Sequence, residues 1–141
     1  MLPVVASDTL VELNGRILGK PKTVAEACET LRALSGRKHS VHTGITVIYN
    51  GRRITDTVST DVCFRELSDE EIAFYVDSGE PMDKAGSYGI QSLGSMFVKQ
   101  ISGDYFAVVG LPVCRMTEIF YELGINVKDL RQENAGQTET N

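Results

Sequence analysis

Two short polar runs, each beside apolar stretches, carry the residue types able to do chemistry. The first is Ser7-Asp8-Thr9, followed by Gly19-Lys20-Pro21. The second is Ser78-Gly79-Glu80-Pro81-Met82-Asp83-Lys84-Ala85-Gly86-Ser87-Tyr88-Gly89-Ile90-Gln91. Loops next to strand-like runs are where a rigid scaffold presents polar groups. Asp8 stands between two apolar stretches, a costly place for an acid unless it is paired or working. It serves either as a base that takes a proton from an attacking water or as a turn-type Asp bound to a backbone amide. Lys20 follows a glycine that lets backbone approach a ligand and precedes a proline that fixes the turn's exit. It reads either as a point charge for phosphate or as an ordinary exposed loop lysine. Lys22 lies close by, outside the motif, and takes no role.

The second run is the stronger signal. Gly79, Gly86, Gly89 and Gly94 fall within sixteen residues, with Asp83 and Lys84 among them. A glycine-rich stretch is often only a flexible loop. Here Pro81 stiffens it, and it returns directly to an apolar strand. His39 and His42 lie three apart on an expected strand. They therefore point to opposite faces and do not share a metal. Arg52-Arg53 reads as a solvated hairpin tip.

These groups need elements to position them. Residues 4–13 read as a strand, and Asn14-Gly15 as a turn. Residues 23–35 read as a helix opened by a Thr23/Glu26 capping box and stopped at Gly36. Its apolar positions Val24, Ala27, Cys28, Leu31 and Leu34 share one face. Residues 40–49 read as a strand, and Asn50-Gly51 is a type I′ hairpin signal. The return strand covers about 53–66, with Val58, Val62 and Phe64 facing inward. Ser68 and Glu71 open a second helix that ends at Gly79. Residues 96–101 and 105–109 read as short strands around a Gly103-Asp104 turn. Pro112 starts a last helix and Gly124 closes it. From residue 128 the chain is polar and aperiodic, which reads as a disordered tail over 128–141 after one domain over 1–127. The expectation is an α/β domain: a mixed sheet with an antiparallel hairpin, flanked by helices.

Bulk composition sets limits. At 141 residues the chain suffices for one domain with a real core. No run of eighteen apolar residues occurs, so no membrane span is expected, and residues 1–6 lack the basic start of a signal peptide. Three cysteines, Cys28, Cys63 and Cys114, odd in number and far apart, suit a reducing, cytoplasmic setting. A net charge of -5 argues against a nucleic-acid polymer as ligand. A single nucleotide carried with a divalent cation remains compatible.

Taken with their context, the two polar runs resemble the Maf family of nucleoside triphosphate pyrophosphatases, a resemblance that covers nearly the whole chain, from about Val4 to Leu123. The resemblance implies hydrolysis of a nucleoside triphosphate to the monophosphate and pyrophosphate, with Mg²⁺ or Mn²⁺. It implies Asp8 as general base, Lys20 and Lys84 on phosphates, and Glu80 or Asp83 at the metal. Gln91 would read the base edge, since an amide both donates and accepts. Thr9 with Gln91 resembles the combination in members acting on dTTP and UTP. The family's opening strand and its Ser-x-Ser-Pro-Arg-Arg phosphate loop are not in this sequence, which implies an N-terminally truncated domain with an uncovered sheet edge. A homodimer would cover such an edge. The loss of the arginine loop also leaves room for an inactive nucleotide-binding or interaction module. An inosine triphosphatase-like enzyme fits less well, because the Gly-Glu-Pro-x-Asp-Lys-Ala-Gly run belongs to Maf.

Overall fold

The computed structural model describes residues 1–131. Strand β3 (Lys38–Tyr49) organises the fold. Its residues alternate between buried and half-exposed, with His39, Val41, Thr43, Ile45 and Val47 all inward. A period of two with one covered face is the pattern of an antiparallel sheet packed on one side only. The sheet has five strands in the order β2-β1-β3-β4-β5, every pair antiparallel. β1 is Val4–Leu13, β2 Arg16–Leu18, β4 Arg52–Phe64 and β5 Val98–Ser102. The α/β architecture expected from sequence is present, and the described sheet contains no parallel pair.

Two turns set the register. Asn50 and Gly51 have φ of 50° and 74°, the double positive φ that lets a two-residue turn match the strand twist. This turn pairs β3 with β4 from Tyr49–Arg52 down to Lys38–Cys63. Asn14 and Gly15 repeat the geometry, with φ of 51° and 81°, and fold β2 back on Val11, Glu12 and Leu13. β2 is short and was not anticipated; only the turn before it had a sequence signal.

β2 reaches only the end of β1. Positions 4–10 of β1 therefore have no strand partner on their outer side among the described residues. The uncovered edge implied by the resemblance lies here.

The helices share one layer. α1 (Val24–Leu34) starts at Thr23, whose hydroxyl accepts from the Glu26 amide, a cap worth about 1 kcal/mol. The reciprocal half differs from the expected box: the Glu26 carboxylate accepts from Lys22 N, one residue earlier. α2 (Asp69–Asp77) is capped in the same manner by Ser68. Ala27, Leu31 and Leu34 of α1 join Ile72, Tyr75 and Val76 of α2 over Val11, Val41, Val62 and Phe64. Full burial of a side chain such as Leu31 contributes about 2 kcal/mol. A second cluster sets Ile119 and Phe120 of α4 (Val113–Glu122) on Ile45 and Val47.

The sequence reading of 105–109 as a strand is corrected. These residues form the short helix α3 (Tyr105–Val109). The Asp104 carboxylate accepts from the amides of Phe106 and Ala107, and Gly110 ends the turn. A capping acid and a terminal glycine outweigh the strand preference of two valines in so short a run. Residues 96–97, read as strand, belong to a 3₁₀ stretch (Ser92–Phe97) that precedes β5. Of the tail expected from 128, residues 128–131 lie in a helical turn, with Leu130 against the second cluster. Residues 132–141 lie outside the described residues.

Candidate functional site

A cleft of about 360 Å³ opens on the helix-covered side of the sheet. Thr9, Val11 and Val41 form its floor; the glycine-rich loop, from Glu80 to Ser92, forms one wall; Val108 and Val109 of α3 form the other. Of the residues singled out from sequence, Thr9, Glu80, Lys84 and Gln91 come together here. Val108 and Val109 were missed, because they were read as strand.

Thr9 is held by a hydroxyl relay. Thr43 Oγ1 donates to the Ala107 carbonyl at 2.6 Å, and Thr9 Oγ1 lies 3.0 Å from Thr43 Oγ1. A hydroxyl has one hydrogen. Thr43 gives its own to a carbonyl, so Thr9 donates to Thr43. The Thr9 oxygen therefore offers only lone pairs to a ligand. It suits an N–H or O–H donor and disfavours a phosphate oxygen.

Asp8 alternates away from Thr9. It is exposed, and its Oδ1 accepts from the Thr9 amide at 2.9 Å. That amide is free for a side chain because Thr9 and Thr43 face each other as a non-hydrogen-bonded pair, with their side chains close. The carboxylate thus curls onto the open edge of β1, one residue from the cleft, and does not line it. The amide-bound role weighed for Asp8 is the one its contacts show.

The glycine-rich loop is wound rather than slack. It holds 3₁₀ turns at Glu80–Asp83 and Ala85–Ser87. Gly86 has φ of 74°, and its amide donates to the Gly19 carbonyl at 3.2 Å. A Cβ at Gly86 would stand 2.9 Å from a Val11 methyl, so glycine lets the loop touch β1. This contact brings the Gly19-Lys20-Pro21 turn beside the loop. Lys84 Nζ binds Asp83 Oδ1 at 2.9 Å, and that ion pair, with a lesser contribution from Lys20, holds the Asp83 carboxyl below the usual range. Lys20 sits at this rim rather than among the cleft-lining residues.

The two acids named for a metal are otherwise engaged. Glu80 Oε1 accepts from Tyr75 OH at 3.0 Å and Gly94 N at 3.2 Å, and Oε2 from Leu93 N at 3.3 Å. Asp83 is paired with Lys84. Among the described residues no three His, Cys, Asp or Glu side chains converge as a metal site.

The histidines part as their spacing requires. His39 is buried, with Nε2 2.6 Å from Tyr88 OH, and packs edge-on against Phe64 and Tyr88. Burial lowers its pKa to about 4, against a smaller upward pull from Asp61. His42 lies on the open face between Glu12 and Ser59. Arg52, at the hairpin tip, donates to the Glu122 carbonyl at 3.4 Å. Cys28, Cys63 and Cys114 are free thiols. No helix among the described residues is long and apolar enough to cross a membrane.

Fold and site together define a two-layer α/β domain with a small-ligand cleft walled by a glycine-rich loop. The chain belongs to the Maf-like protein family, whose model matches residues 2–123. It is 48% identical over 126 residues to the dTTP/UTP pyrophosphatase of Clostridium novyi (strain NT), covering 88% of this chain and 66% of that protein. It is 50% identical over 124 residues to the dTTP/UTP pyrophosphatases of Bacillus cereus (strain AH820) and Bacillus anthracis, covering 88% of this chain and 65% of each. The chain thus spans just under two thirds of the length of these curated relatives.

Proposed function

We propose that this chain is a nucleoside triphosphate pyrophosphatase that takes dTTP or UTP to the monophosphate and pyrophosphate. The observation that carries the reading is the meeting of Thr9, Lys84 and Gln91, distant in sequence, around one cleft. Lys84 supplies positive charge to the phosphates, with Lys20 at the rim. Gln91 offers a donor and an acceptor to the base edge. Thr9, fixed as an acceptor, suits the ring N–H that thymine and uracil share. Water attacks the α-phosphorus, the bond to the bridging oxygen breaks, pyrophosphate leaves, and Asp8 takes the proton from its place beside Thr9. A divalent cation enters with the substrate, as the Mg²⁺ or Mn²⁺ complex of the triphosphate, and Glu80 in the cleft wall or Asp83 beside it would meet that cation. The free thiols suit a cytoplasmic setting.

One observation favours a second reading, a nucleotide-binding module without hydrolysis. The Asp8 carboxylate does not line the cleft, and one of its oxygens is taken by a backbone amide.

Pyrophosphate release by the purified chain, with dTTP, UTP, GTP and ATP as Mg²⁺ complexes, separates the two. Release confined to dTTP and UTP supports the enzyme. Binding of dTTP without release supports the module, and neither binding nor release refutes both.

A further inference from the structure

We propose that Tyr75 and Glu80 are a positioning pair that sets the base selectivity of the cleft by fixing the backbone on either side of Gln91. This rests on the nucleotide reading above. Tyr75 comes from α2, is fully buried and does not line the cleft. Its hydroxyl accepts from Gly89 N at 3.0 Å and donates to Glu80 Oε1 at 3.0 Å. Glu80 in turn accepts from the amides of Leu93 and Gly94. Two side chains therefore hold three amides, at 89, 93 and 94, and these bracket Ile90, Gln91 and Ser92.

The bracket closes tightly. A Cβ at Gly94 would stand 1.9 Å from the Gly89 carbonyl oxygen, so the two ends of the segment are in direct backbone contact. Ser92, inside it, has φ of 55°, a conformation a non-glycine residue keeps only when its surroundings enforce it. Gln91 is exposed, and among the described residues no hydrogen bond holds its side chain. Its position is thus inherited from the backbone that Tyr75 and Glu80 hold. A displacement of that backbone changes how an amide meets a base edge, while leaving Lys84 free to meet the phosphates. Loss of the pair should therefore lower discrimination between bases more than it lowers overall nucleotide affinity.

The test uses the whole chain and two non-hydrolysable probes, the α,β-imido analogues of dUTP and dGTP, each with Mg²⁺. Calorimetric affinities are measured for the parent, Tyr75→Phe, Glu80→Gln and Gln91→Ala, with amide exchange at Gly89, Leu93 and Gly94 followed by NMR. Tyr75→Phe keeps the buried ring and removes only the hydroxyl. The expected result is faster exchange at Gly89 and a dUTP-over-dGTP preference reduced roughly tenfold, the size of one lost buried hydrogen bond. The preference should fall to the level of Gln91→Ala, and combining the two substitutions should lower it no further. Glu80→Gln keeps acceptors for Tyr75 and Gly94 but faces Leu93 N with an amide group, and should fall between. A Tyr75→Phe preference equal to the parent's would overturn the inference, and so would equal weakening of both probes, which marks a merely structural role. A parent chain that binds neither probe would overturn the nucleotide reading and this inference with it.

Discussion

The Lys84 side chain lies across Gly89. A Cβ built at Gly89 would stand 2.7 Å from Lys84 Cε and 2.9 Å from Cδ. The absence of a side chain at one wall position thus sets where the cleft's cation runs. In Gly89→Ala the obstacle meets the far portion of a flexible chain, which can swing aside with little loss of stability. The expected outcome is a melting temperature near the parent's and a raised KM for nucleotide, with kcat less affected. An unchanged KM would show that Lys84 does not need this path.

Gly94 presents the opposite case. Its absent Cβ would meet backbone, the Gly89 carbonyl at 1.9 Å, and the Tyr75 hydroxyl at 3.0 Å. Neither can move without breaking the bracket around Gln91. Gly94→Ala should cost about 1–3 kcal/mol, the usual penalty for overpacking, and more where backbone must shift. Urea unfolding of the two glycine variants side by side gives the comparison. Equal stabilities would contradict the assignment of rigid and yielding neighbours.

The hydroxyl relay makes its own prediction. Thr43 is fully buried and gives its hydrogen to Ala107 O. Thr43→Val leaves that carbonyl unpaired, at about 1–3 kcal/mol, and frees Thr9 to turn its hydrogen toward the ligand. Selectivity for dTTP over its N3-methyl analogue should then fall, and Thr43→Ser should restore it. Retained selectivity in Thr43→Val would break the link between the relay and the base.

His39 sets a pH dependence of stability. Its folded pKa is lowered to about 4 from 6.5. Between these values the unfolded chain takes up a proton that the native state refuses. The stabilisation is therefore complete above about pH 6.5 and is lost as pH falls toward 4. The slope across that window is about 1.4 kcal/mol per unit, roughly 3 kcal/mol in all. His39→Gln should flatten it. The quantity to measure is the parent-minus-variant difference in unfolding free energy from pH 7 to 4.5; a constant difference would remove His39 as the cause.

Asp8→Asn probes the proposed base. The amide oxygen still accepts from Thr9 N, so the edge of β1 should keep its contact and the fold its stability. Pyrophosphate release should fall by about 10²–10⁴, the range for losing a general base. Hydrolysis at the parent's rate would move the base elsewhere.

Much of the architecture was legible in the chain because it rests on local chemistry. Asn50-Gly51 demanded a type I′ turn, Thr23 and Ser68 offered caps, and His39 and His42 were separated by strand period alone. The family, too, was legible, because its motifs are contiguous. Residues 105–109 were misread because two valines weigh toward strand, while the Asp104 cap and the Gly110 stop that outweigh them span a single turn.

What only the tertiary structure decided is which groups are spoken for. Asp8 belongs to the first polar run, and Glu80 and Asp83 to the glycine-rich loop. The fold hands Glu80 to Tyr75 and the amides of Leu93 and Gly94, while Asp8 and Asp83 bind their chain neighbours, the Thr9 amide and Lys84. Sequence carries the kind of each side chain and its local backbone bias. A hydrogen bond from Gly94 to Glu80 or from Thr43 to Ala107 joins residues 14 and 64 positions apart. Such a contact exists only once the sheet and its helix layer have brought both ends together, and that closure is a property of the whole fold rather than of either motif.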